Sequence, residues 1–207
     1  RKQLARAAGL KTMNIPRKTE KDYALMIVQL IKFAQRQRGL RKPIQRLVFL
    51  GDTRMLDGTA FRNICQVGCW AGVAFIGSED TKPVVNEVVH NGDKQSLFLS
   101  NRWQALADFT EYLSREGHIV DETTAVVVDI DKTALGARGR NGHVIDQARV
   151  SAVQDTVASL LGDQFSLDNF RSAYNLLVQP QFHAFTTDNQ DYVAYICLIL
   201  GTGMLTL

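Results

Sequence analysis

The stretch Ala125-Val-Val-Val-Asp129-Ile-Asp131-Lys-Thr133 carries the residues of this chain best suited to chemistry. A β-branched apolar run ends in two carboxylates one residue apart, followed by a hydroxyl. Such a run reads as a buried strand. Its tip is where an open α/β sheet binds ligands. Two acids set so close repel each other and lose solvation, so they require a cation or a shared proton. With that requirement met, one carboxylate can attack an electrophile while its neighbour handles the proton. An Asp-x-Asp pair after a strand also arises as a plain turn. A second acidic strand end tips the reading towards chemistry.

That second end is Arg46-Leu-Val-Phe-Leu50-Gly51-Asp52, with Asp57 five residues further on across a turn. Gly51 allows the backbone to come close to a ligand. If strands 46–50 and 125–128 are neighbours in one sheet, three or four carboxylates converge. Mg²⁺ is the natural occupant of such a cluster, because it takes one or two carboxylates, keeps waters and bridges to phosphate. In the plainer alternative Asp52 only caps the helix that follows.

The elements that would position these acids can be traced along the chain. Tyr23, Ile27, Leu30, Ile31 and Ala34 recur at helical spacing within 18–36, and Gly39 ends the run. A strand at 46–50, a helix from Gly58, a strand at 72–76 and a short strand at 97–99 follow, with 78–95 read as a surface loop. A helix at 102–116 precedes the strand at 125–129. Residues 134–144, rich in Gly, read as a flexible connector. Two helices come next, the second opening at Ser166, a good N-cap. Gln181–Phe185 reads as a strand ending in Thr186-Thr187, and a last helix runs to Gly201. Strands alternating with helices predict an α/β fold with a mostly parallel, doubly wound, Rossmann-like sheet.

Composition is that of an ordinary globule: 207 residues, 45% hydrophobic and 22% charged. A formal net charge of +3 does not argue for nucleic acid. Basic residues cluster at Lys32, Arg36, Arg38, Arg41, Lys42 and Arg46 and at Arg17, Lys18 and Lys21. They read either as a solvated helix face or as a funnel for an anionic substrate. Cys65, Cys69 and Cys197 form no Cys-x-x-Cys pair, and the four histidines lie far apart in sequence. This fits buried thiols in a reducing, cytoplasmic setting and argues against zinc. The apolar run 192–200 is too short to span a bilayer, so no membrane partner is expected.

With both segments in view, the chain resembles the haloacid dehalogenase superfamily of hydrolases. Asp129-Ile-Asp131-Lys-Thr133 matches the first motif of that family, Asp-x-Asp-x-(Thr/Val) after an apolar strand. Gly51-Asp52-Thr-Arg-Met-Leu-Asp57 matches its fourth. The resemblance implies Asp129 as the nucleophile, forming an aspartyl-phosphate, and Asp131 as the acid that protonates the leaving oxygen and then activates water. It implies a Mg²⁺ ion held by Asp129, the Asp131 backbone carbonyl and Asp52, with Asp57 supporting the metal or its waters. The order of motifs is permuted, since the fourth precedes the first. On that reading Thr186 or Thr187 matches the second motif and would bind a phosphoryl oxygen, with Ser100-Asn101 as a competitor. Lys18 matches the third and would stabilise the nucleophile, with Lys11 and Lys21 as competitors. Lys132 departs from the pattern, standing where many members have Gly. The resemblance divides the chain into a core of 1–133 and 181–207 and a helical cap insertion at 134–180. The permuted order closes either within one chain or across a homodimer. The implied activity is a phosphatase acting on a small phosphorylated metabolite. Two other readings of the acids are a nucleotide-sugar transferase with an Asp-x-Asp metal site and a non-catalytic phosphoacceptor or interaction module.

Overall fold

A computed structural model of the chain describes residues 16–179 and 190–206, together with Gly9 and Phe182. Among the described residues it is an α/β protein with a five-stranded, mostly parallel sheet and six α-helices. In chain order these are α1 (Lys21–Gln37), β1 (Arg46–Gly51), α2 (Leu56–Gly68), β2 (Ala71–Gly77), β3 (Asn86–His90), β4 (Gln95–Ser100), α3 (Leu106–Arg115), β5 (Thr124–Val128), α4 (Gly142–Leu161), α5 (Leu167–Leu177) and α6 (Gln190–Gly201). The chain divides at Gly142–His143 into two compact units.

The first unit holds the whole sheet, in the order β3-β4-β2-β1-β5. β1 is parallel to both β2 and β5, with Leu50 opposite Phe75 on one side and Val128 on the other. β2 is parallel to β4. The expected adjacency of the two acid-tipped strands is therefore present. Successive residues of β1 and β2 serve opposite faces, as the period of two requires. Leu47, Phe49, Ala74 and Ile76 pack with Ala24 and Val28 of α1 and Phe61 and Ile64 of α2. Val48, Val73 and Phe75 pack with Phe98 and with Phe109, Tyr112 and Leu113 of α3. Burial on both faces is why these strands read as unbroken apolar runs.

Two expectations change. Residues 78–95 are not loop throughout, because β3 pairs antiparallel with β4, Val88 lying opposite Phe98. β5 is not a fully buried strand: among the described residues it ends the sheet, and Val126 and Val128 are 53% and 45% exposed.

The second unit is helical. Phe165, Phe170, Ala173 and Tyr174 pack with Val193, Cys197 and Leu200 of α6, while Val150, Val153 and Val157 of α4 pack against them. Ser166 caps α5, its side chain accepting from the Asn169 amide at 3.3 Å. The reading that joined 181–207 to the sheet-bearing core differs from this division. The apolar residues of α6 find their partners in α5, so α6 belongs to the second unit. The strand expected at 181–185 lies outside the described residues. Among those described, no helix is long and apolar enough to cross a membrane.

Candidate functional site

The site forms at the carboxyl ends of β1 and β5. Parallel pairing carries Asp129 beside the β1 tip, where its amide donates to the Leu50 carbonyl at 2.9 Å. β1 ends at Gly51, and the chain turns through Asp52 and Thr53 into α2. Asp57, in the first turn of α2, folds back under the strand end. Its Oδ2 accepts from the amides of Asp52 and Thr53 and from the Thr53 hydroxyl, each at 3.0 Å. The Thr53 carbonyl in turn accepts from the Asp57 amide at 3.0 Å. These donors in the turn before α2, together with Lys18 on the other oxygen, satisfy the carboxylate, and its place in the first turn complements the helix dipole. That is why an acid buried to 1% exposure is tolerated here.

Lys18, in the turn before α1, closes the arrangement. Its Nζ donates to Asp57 Oδ1 at 2.8 Å and also to Asp129 Oδ1, a residue 111 positions away. The Thr133 hydroxyl donates to the other oxygen of Asp129, Oδ2, at 3.3 Å. Asp52, Asp57 and Asp129 each offer a carboxylate oxygen, all within 4.8 Å of one another. Hard carboxylate oxygens at this spacing fit a divalent cation such as Mg²⁺. The donor set is uneven, however. Asp57 Oδ2 already accepts three hydrogen bonds, so this acid acts chiefly through Oδ1, which it shares with Lys18.

The charges are strongly shifted. Burial pushes the Asp52 carboxyl up to about 7; Arg138 opposes this, while Asp57 and Asp129 add to it. Burial also works against the charge of Asp57. Lys18 and the amides of Thr53 and Asp52 outweigh it and hold that carboxyl below its usual value. Lys18 loses solvation, but its two carboxylate partners raise its ammonium well above the ordinary lysine value. Tyr23, one turn along from Lys18, is raised by burial and by the fields of Asp129 and Asp57.

The site residues read from sequence therefore separate into three groups. Asp129, Asp52, Asp57 and Lys18 come together. Asp131 is exposed, and its carboxylate is not one of the three that cluster. Thr186 and Thr187, and the competing Lys11, lie outside the described residues. Ser100 turns instead to Asn86, donating to its Oδ1 at 2.7 Å, and Lys21 begins α1.

Of the basic clusters, Lys18 reaches the acidic site, whereas Lys42 and Arg46 pair elsewhere. Arg46 opens β1 and pairs with Asp121 at 3.2 Å, and Lys42 pairs with Glu122. A six-residue strand separates Arg46 from Asp52, a distance of roughly 20 Å.

Arg138 was not singled out in the sequence. It sits in the connector read as flexible, which in fact is held by a run of hydrogen bonds: Ala134 amide to Asp129 carbonyl, Leu135 amide to Ile130 carbonyl, and Arg138 amide to Lys132 carbonyl. Its Nη1 donates to the Asp52 carbonyl at 3.0 Å.

Comparison of the chain with protein-family models, with curated proteins and with solved structures returns no match.

Proposed function

We propose that the chain is a Mg²⁺-dependent phosphohydrolase of the haloacid dehalogenase type with permuted motif order, acting on a small phosphorylated metabolite. The observation that carries this reading is the convergence of Asp52, Asp57 and Asp129 within 4.8 Å, with Lys18 bridging the last two. The packing of α1 and α2 on one set of strand residues and α3 on the other supports a doubly wound, Rossmann-like core. Lys132, at φ 58°, adopts the left-handed conformation that glycine enters most readily, which supports its alignment with the family's usual Gly.

In this reading an oxygen of Asp129 attacks phosphorus as the bond to the leaving oxygen breaks, and Asp131 supplies the proton to that oxygen. Asp131 then takes a proton from water as the water attacks the phosphoryl group, releasing inorganic phosphate and restoring the Asp129 carboxylate. Lys18 holds Asp129 in place and offsets negative charge on the phosphoryl oxygens. Thr133 orients the second Asp129 oxygen. Asp52 and Asp129 would hold Mg²⁺, which supplies charge neutralisation for the phosphoryl group. Asp57 organises the turn and fixes Lys18. A nucleotide-sugar transferase would use Asp129 and Asp131 but leaves Lys18 and Asp57 without a role.

The test is hydrolysis of para-nitrophenyl phosphate with and without Mg²⁺. Asp129→Asn should remove turnover and EDTA should silence the wild type. Retained turnover by that variant overturns the assignment of the nucleophile.

A further inference from the structure

The connector after the Asp129 strand is docked onto the sheet, and its contacts converge on one residue. The Arg138 carbonyl accepts from the Glu79 amide at 3.0 Å and from the Trp103 indole at 2.9 Å. The next residue, Gly139, has φ 80°, and a Cβ there would stand 1.8 Å from the Glu79 carbonyl oxygen. Backbone thus lies directly on backbone, at a position only glycine can fill. Glu79 fastens the same junction twice more, accepting from the Trp103 amide at 3.1 Å and from Arg140 at 3.1 Å. The segment just past β2 and the residue that opens the turn into α3 therefore fix the backbone on either side of the Arg138 side chain.

That side chain reaches across to the tip of β1. Nη1 donates to the Asp52 carbonyl at 3.0 Å and lies 3.5 Å from Asp52 Oδ2. Arg138 is 23% exposed and Asp52 9%, so the pair is largely shielded from water. One guanidinium nitrogen, Nη1, thus engages both a carbonyl and a carboxylate oxygen of Asp52, which restrains its backbone and its χ1.

We propose that Arg138 is a positioning residue for the acidic site: it grips Asp52 by backbone and side chain so that its carboxylate faces the position shared with Asp57 and Asp129. Outer partners that orient a ligand typically alter metal affinity 10–100-fold when removed. The inference rests on the reading of Asp52 as a Mg²⁺ ligand. It goes beyond that reading in assigning the connector a task, namely holding this acid in place.

The test is calorimetric titration of Mg²⁺ into the wild type and into Arg138→Met, Arg138→Lys and Trp103→Phe. Arg138→Met should weaken Mg²⁺ binding about tenfold or more. Arg138→Lys retains the charge and a donor on a more flexible stem and should recover part of the loss. Trp103→Phe removes one fastening of the Arg138 backbone without touching the acids, and should weaken binding in the same direction but by less. In para-nitrophenyl phosphate hydrolysis, the half-saturating Mg²⁺ concentration should rise while kcat at saturating Mg²⁺ is largely kept. If Arg138 were only a cation competing for Asp52, Arg138→Met would tighten Mg²⁺ binding; tightened or unchanged affinity in both Arg138 variants overturns the proposal. A wild type that binds no Mg²⁺ at millimolar concentration overturns the metal reading itself, and the role of Arg138 with it.

Discussion

A Cβ built on Gly51 would lie 2.6 Å from the Cβ of Asp57. The last residue of β1 and the buried acid of α2 are thus in backbone-to-side-chain contact, with no room for a methyl group between them. The glycine of Gly51-Asp52 is required by packing, in addition to any need for a ligand to approach the backbone.

Gly51→Ala should therefore push Asp57 off the Asp52 and Thr53 amides and loosen Lys18. Overpacking of this kind costs about 1–3 kcal/mol. Urea denaturation measures it. An unchanged midpoint would mean that Asp57 moves aside freely and that the contact holds nothing.

Asp57 itself should reveal its charge through acid stability. Its folded pKa lies below the unfolded value, so its carboxylate stabilises the fold above about pH 4 and that contribution fades as pH falls further. Asp57→Asn should cost about 2–3 kcal/mol at pH 7, less than a fully buried broken pair because Lys18 is one-third exposed. The gap from wild type should shrink as pH falls below about 4. A gap constant through that fall would show that Asp57 contributes only shape.

Asp52 has the opposite sign. Its carboxyl is raised to about 7, chiefly by burial, so the folded state holds a proton there that the unfolded chain releases near pH 4. Stability from this group falls as pH rises from about 4 to about 7. A divalent cation binds the ionised form and gains as the proton leaves. The rise in Tm on adding Mg²⁺ should be larger at pH 8 than at pH 6, and Asp52→Asn should abolish the difference. Equal shifts at both pH values would mean that Asp52 is charged throughout.

The helical unit should yield separately from the sheet. Phe170 is fully buried among Phe165, Tyr174 and the α6 residues. Phe170→Ala should cost about 3–5 kcal/mol there. Hydrogen exchange should then quicken across α4, α5 and α6 while the amides of β1 and β2 stay protected. Uniform quickening across both units would show that they unfold as one.

Much of the site was legible in the sequence because its residues terminate strong local patterns. Asp52 and Asp129 each end an apolar run, and Lys18 stands at the start of an amphipathic helix. β3 escaped detection because Asn86-Glu-Val-Val-His90 is short and largely exposed and lacks a long apolar run, although Asn91-Gly92 before β4 is a hairpin signal. Arg138 escaped for a different reason. Its neighbours Gly136, Gly139 and Gly142 look like a linker, and beyond local turn bonds the Arg138 backbone is fastened by a distant Glu79 and Trp103. Non-local fastening of this kind leaves no periodic trace.

Among the described residues β5 is the last strand in sequence and ends the sheet, beside β1. The strands β1, β2 and β4 can pair while β5 is still being synthesised, with Asp52 and Asp57 already in place and Asp129 still distant. Docking of β5 brings Asp129 against Asp52 and Asp57 and gives Lys18, already paired with Asp57, its second carboxylate partner, while Arg138 follows on the connector. Pairing of β5 with β1 and assembly of the acidic cluster are therefore coupled, so a nascent chain ending before Val128 has the scaffold but not the third carboxylate.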